Sequence, residues 1–300
     1  MKFLENETVI TIYHTLAYLL VTFILFYLGK LIYQWFHKKI DVKKELVVHD
    51  NLAFSIAHVG YFIGLILAIG GAIVGPSHGL LFDLFDIGLY GILSILLLNF
   101  STIINDKIIL RKFSVYKEII EDRNVGTGVV EAASAIASGL IIFGAVSGEN
   151  QSTYLYYEGL INPEAIITAI GFWGIGQLVM ILVARVYNMI TSYDIHEYIE
   201  KDNVAVGIGF AGALVALGNL VRFALAGDFI SWTESLSNVG IEVAIGLALL
   251  PFARLLADKI LLPGQKLTDE IINQEHPNIG AAIIEAFAYI GGSVLITWCL

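Results

Sequence analysis

One short phrase occurs four times along the chain, and it constrains the fold more than any other feature. It reads Glu45-x5-Asn51-Leu52-Ala53, Glu118-x5-Asn124-Val125-Gly126 and Glu197-x5-Asn203-Val204-Ala205, then, with two extra residues in the spacer, Glu270-x7-Asn278-Ile279-Gly280. At each Asn a polar linker gives way to a long apolar run rich in Gly and Ala. An Asn side chain accepts a free backbone N–H of the first helical turn. Lipid offers those donors nothing, so such a cap matters most where a helix enters a bilayer. The small residue two places on admits a neighbouring backbone. The phrase thus predicts helices capped by Asn51, Asn124, Asn203 and Asn278, and a chain built by repetition.

The runs between the phrases support a membrane solvent. Apolar residues make up 57% of the chain and charged residues 15%, against about 25% charged in a soluble domain. Eight spans are expected, at roughly 9–36, 51–75, 80–104, 124–147, 160–188, 203–226, 235–257 and 279–300. The fold class is therefore all-α integral membrane. Fourteen of the 17 basic residues fall in the linkers after spans one, three, five and seven. The positive-inside rule puts those linkers in the cytoplasm and both termini outside, in a bacterial inner membrane. The same linkers are long and amphipathic, so short helices are expected there. Net charge is −10, and the few cations are placed for topology, which excludes nucleic acid as a partner. The one cysteine, Cys299, excludes an internal disulfide and a cysteine metal cluster. No metal set, cofactor motif, Walker loop or catalytic triad signature is present, so the chain reads as a non-enzyme. Gly207-x-Gly209-x-x-Gly212 matches a dinucleotide fingerprint only as a string, because it lies inside span six and not after a strand.

The halves repeat as well. Residues 50–122 align without a gap onto 202–274, so that Asp50-Asn51 meets Asp202-Asn203 and Asp106-Lys107-Ile108 meets Asp258-Lys259-Ile260. The unit is a helical hairpin used twice per half, with halves at 1–148 and 149–300. Four spans per half is an even number, so the halves share one orientation and form a parallel, pseudo-twofold repeat about an axis along the membrane normal.

The phrase Glu-x5-Asn-x-(Ala/Gly), followed by a Gly-rich span, resembles the bacterial membrane proteins catalogued as domain of unknown function 350. The resemblance runs through Asn51, Asn124, Asn203 and Asn278 and covers nearly the whole chain. It implies a bacterial inner-membrane protein carrying the hairpin in tandem copies, and it implies no activity.

Ionisable groups inside a bilayer are costly and so are functional candidates. Seven residues beyond each Asn stand His58, Glu131, Phe210 and Glu285. Small residues surround both acids, which predicts helix–helix interfaces and a bundle-interior position. An ion or proton site built from Glu131, Glu285 and His58 is the functional expectation; the structural one is acids hydrogen-bonding across helices. Arg222 and Glu242 occur only in the second half, opposite Gly70 and Tyr90. A charge pair of Arg222 with Glu242 or Asp86 is one expectation, snorkelling of Arg222 to the interface the other. Asp106 and Asp258 are expected to pair with the adjoining Lys107 and Lys259. Two functions remain open: a transporter or channel moving protons or small cations, and a scaffold. The scaffold would dock a cytoplasmic or membrane protein partner, or further copies of itself, through its basic linkers. A wet interior between the halves would favour the first, a packed seam the second.

Overall fold

The computed structural model describes residues 7–75, 77–148, 161–262 and 264–300. Most of the described residues are helical, and eight helices are long and apolar enough to cross a membrane. They are α1 (Glu7–Phe36), α2 (Leu52–Ile73), α3 (Leu80–Ile104), α4 (Val125–Val146), α5 (Pro163–Ile190), α7 (Val204–Leu225), α8 (Trp232–Leu256) and α10 (Ile279–Cys299). The short helices α6 (Ile195–Glu200) and α9 (Leu267–Ile272) lie in two of the basic linkers. Of the linker 148–159, which holds no basic residue, positions 149–159 lie outside the described residues. The other spans start and stop within about three residues of the positions expected from the sequence.

The capping phrase is a small machine. The side-chain oxygen of Asn51 accepts from Phe54 N–H at 3.0 Å, and those of Asn124, Asn203 and Asn278 accept from Thr127, Val206 and Ala281 at 2.8, 3.1 and 3.1 Å. The amide of the same Asn turns back to the Glu of its phrase: Asn51 to Glu45 at 2.9 Å, Asn124 to Glu118 at 2.9 Å, Asn278 to Glu270 at 2.7 Å. Glu197 instead takes Lys201, at 2.6 Å. Each of the first three Asn amides also reaches into the next hairpin's linker, donating to the carbonyls of Ile119, Ile199 and Ile271 at 2.9, 2.7 and 3.0 Å. One side chain therefore starts a helix, closes its own linker and ties it to its successor. The residue before the cap is left-handed in the first three copies, with φ of 49° at Asp50, 54° at Arg123 and 57° at Asp202. Pro277 in the fourth copy cannot adopt a positive φ. The two extra residues of that spacer let the Asn278 N–H reach the Glu270 carbonyl, at 2.9 Å, by a longer route.

The spans pack in two layers. The capped helices form one row, α2 against α4, α4 against α7, α7 against α10. The longer helices α1, α3, α5 and α8 form the second layer, each seated against its neighbours in the row. Small residues make the row unusually tight. A Cβ on Gly60 would stand 2.3 Å from Ala132 Cα, one on Gly218 2.7 Å from Ala137 Cα, and one on Gly212 2.4 Å from Ala286 Cα. Gly60–Ala132 and Gly212–Ala286 stand at the same depth in the two halves, and Gly218–Ala137 lies further from the caps. The halves are parallel, as the repeat requires, but a twofold is not what relates them. It would match the α4–α7 contact with one between α10 and α2, whereas those two helices stand at opposite ends of the row. The hairpins follow one another head to tail.

At the basic-linker end, α3 and α8 finish in π-helical turns, Asn105–Ile109 and Ala257–Leu261. A π turn holds one residue more than an α turn. It therefore shifts the face on which Asn105, Asp106 and Asp258 point.

Candidate functional site

The two acids expected from the repeat do not meet. Glu131 on α4 and Glu285 on α10 occupy two separate sites, one per half, each on the face turned toward the preceding hairpin. His58 joins neither. It lies in a ring cluster with Phe54, Phe62 and Tyr33 at centroid distances of 5.1, 4.8 and 5.1 Å, and its Nδ1 has no hydrogen-bond partner.

The second-half site is closed on itself. Glu285 is 0% exposed. Its Oε1 accepts from Arg254 Nη1 at 2.7 Å, Tyr289 OH at 3.0 Å and Tyr187 OH at 3.2 Å. Arg254 Nη2 donates to Thr268 Oγ1 at 3.0 Å, and its guanidinium lies 5.9 Å from the centre of the Tyr193 ring. Gly209 makes room for the carboxylate, since a Cβ there would stand 2.5 Å from Glu285 Oε2. Removing one partner of such a buried pair costs about 3–5 kcal/mol. Arg254 was readable in the sequence only as one of the topology-setting cations. The alignment of halves holds the missed signal: Arg254 stands where the first half has Thr102.

The first-half site has the same frame and different contents. Glu131 takes the place of Glu285, Tyr33 of α1 that of Tyr187, and Asp106 that of Asp258. Thr102 replaces Arg254, and Ala135 replaces Tyr289. Glu131 accepts a hydrogen bond from the Asn105 amide, and the Asp106 carboxyl lies within hydrogen-bonding reach of Glu131. The two acids line a cavity of about 80 Å³ together with Tyr33, His37, Phe54, Tyr61, Thr102 and Ala135. Tyr116, Ile119 and Ile120 of the basic linker complete its wall, so it lies at that end of the protein. No Lys or Arg lines it. Burial pushes the His37 imidazole below its usual range, against a hydrogen bond to the Tyr33 carbonyl that favours the charged form. That ring is neutral at neutral pH and supplies no charge. Two adjoining carboxyls without a fixed cation require a proton or another cation between them.

The remaining expectations divide. Asp106 faces Glu131 and makes no ion pair with Lys107 among the described residues, and Asp258 Oδ1 accepts from Leu267 N–H at 2.6 Å, ahead of α9. The π turns, which the sequence pattern does not reveal, account for both. Arg222 pairs with neither Glu242 nor Asp86; its Nε donates to Asn219 Oδ1 at 3.4 Å and its guanidinium lies 5.6 Å from the Phe143 ring centre. Glu242 is buried and its Oε2 lacks a partner. Asp86 lines a cleft of about 680 Å³ at the end opposite the basic linkers, with Asp83 and Glu234. Asp83 is occupied in the turn before α3, accepting from Ser77 Oγ at 2.6 Å and His78 N–H at 2.8 Å. Between this cleft and the inner cavity lie Leu65, Ala68, Ile69, Ile95, Leu98 and Ile142, all buried. The α4–α7 seam between the halves is packed backbone to backbone, with a Cβ on Gly207 falling 2.6 Å from the Gly126 carbonyl. No group of three or more His, Cys, Asp or Glu placed to hold a metal ion occurs among the described residues.

Comparison with known proteins agrees with this architecture. The chain is 20% identical over 261 residues to a UPF0719 transmembrane protein of Aquifex aeolicus (strain VF5), covering 87% of this chain and 90% of that protein. No solved structure matches. The family described as Domain of Unknown Function (DUF350) matches twice, at residues 6–146 and 158–300, the two halves seen in the fold. This multi-pass membrane protein belongs to the DUF350 family and carries its domain in two tandem copies.

Proposed function

We propose that the protein moves protons or small cations across a bacterial inner membrane, with the Glu131–Asp106 pair as its loading site. The basic linkers then face the cytoplasm, and loading occurs from there. One observation carries the reading. The first-half acids line a cavity without a Lys or Arg, while the repeat-equivalent acid of the second half is neutralised by Arg254. The second half acts as a fixed support and the first as the working half. Paired acids inside a bilayer are costly and mark ion paths and proton relays. The packed α4–α7 seam moves any path away from the middle of the molecule. The proposed path runs instead between the inner cavity and the opposite cleft, across the apolar layer around Leu65, Leu98 and Ile142.

The same seam favours a second reading, a scaffold that docks a partner through the basic linkers. Proteoliposomes loaded with a pH-sensitive dye separate the two. Flux that falls at least about tenfold in Glu131→Gln supports the carrier. Absence of flux in the wild-type protein, or flux indifferent to Glu131→Gln, rejects it and leaves the scaffold.

A further inference from the structure

The repeat supplies an internal guide to the ligand. In the second half a guanidinium sits between the face of Tyr193 and a carboxylate to which two tyrosine hydroxyls also donate. In the first half the two side chains that fill that space are cut back, Arg254 to Thr102 and Tyr289 to Ala135. Both shortened residues line the 80 Å³ cavity, and so does the retained acid, Glu131. A single water needs about 10–15 Å³ by this measure, so the space suits one small planar cation better than a bare ion. The walls are also those such a cation uses. Tyr33 and Tyr61, whose ring centres lie 4.4 Å apart, pack on each other and both line the cavity, and cations bind aromatic rings as well as carboxylates. The second acid, Asp106, turns onto Glu131 where the tethered arginine is lost, whereas its counterpart Asp258 accepts from Leu267 N–H. Asn105 is 1% exposed, and its Oδ1 has no hydrogen-bond partner although its amide is on Glu131. That leaves a buried acceptor for an N–H donor.

We infer that the first-half cavity binds a free guanidinium-type cation, in the place that Arg254 fills within the second half. The inference deepens the cation reading above by naming the class of cation. Glu131 and Asp106 neutralise it, the Tyr33 and Tyr61 rings stand together on one wall, and the Asn105 amide steadies Glu131. Arginine's guanidinium is planar and weakly hydrated, which makes this class the least costly to bring out of water.

The test is equilibrium binding of radiolabelled guanidinium to the full chain in nanodiscs. The wild-type protein should bind one equivalent, saturably, and sodium at equal concentration should not displace it. Thr102→Arg restores the tethered cation and should abolish binding while raising the melting temperature. Glu131→Gln should weaken binding at least about tenfold, and it keeps the test decisive if Thr102→Arg does not fold. No saturable binding to the wild type, equal displacement by sodium, or unchanged binding in a folded Thr102→Arg protein overturns the inference. Flux that depends on Glu131 without guanidinium binding sinks this inference alone. Guanidinium binding without flux sinks transport alone.

Discussion

At the residue scale the asparagines at the helix entries do more than a cap requires. A lone N-cap contributes about 1 kcal/mol. Asn124 also holds the Glu118 carboxylate and the Ile199 carbonyl of the next linker. Stranding such buried acceptors costs about 1–3 kcal/mol. Asn124→Ala should therefore lose about 2–4 kcal/mol. Asn278→Ala should lose less, because the Asn278 amide donates to Glu270 only. Denaturation in mixed micelles compares them, and equal losses would argue against the cross-linking role. The cap itself was legible in the sequence because a helix's first bonds are local. The reach to the next linker was not, because it depends on which hairpins stand side by side. Arg254 escaped for the same reason. A cation near a membrane boundary looks like a topology signal until the acid it meets, 31 residues on, is brought beside it.

The hairpin is the unit at the scale of elements, and glycine sets how closely units approach. Gly139 faces Gly64, with a Cβ there falling 2.3 Å from the Gly64 carbonyl oxygen. Backbone cannot yield as a side chain end can. Gly139→Ala should prise α2 from α4 and cost at least about 1–3 kcal/mol. Gly88→Ala, with nothing within 4 Å, should change stability by less than about 0.5 kcal/mol. Melting temperatures of the two variants check this, and a comparable fall in both would contradict the packing described. Span positions were readable from hydropathy to within a few residues, since a bilayer fixes the length of an apolar run. The π turns were not, because one extra residue in a turn leaves no mark on hydropathy. They carry Asp106 to Glu131 and away from Lys107, the pairing suggested by adjacency in the chain.

Across the whole molecule, repetition has produced a row of like contacts and two unlike sites. The parallel halves were legible from the gapless alignment of 50–122 with 202–274. The head-to-tail order was not, since alignment states which helices correspond and not which ones touch. The account's central claim is that the repeat-equivalent acids live in opposite circumstances, Glu285 held by Arg254 and Glu131 crowded by Asp106. The melting temperatures of Glu131→Gln and Glu285→Gln in nanodiscs test it most directly. Glu285→Gln strands a buried guanidinium and should cost about 3–5 kcal/mol. Glu131→Gln keeps an acceptor for the Asn105 amide and removes one of two facing acids, so its melting temperature should hold or rise. Equal falls in both variants, or a Glu285→Gln protein as stable as the wild type, would contradict the account.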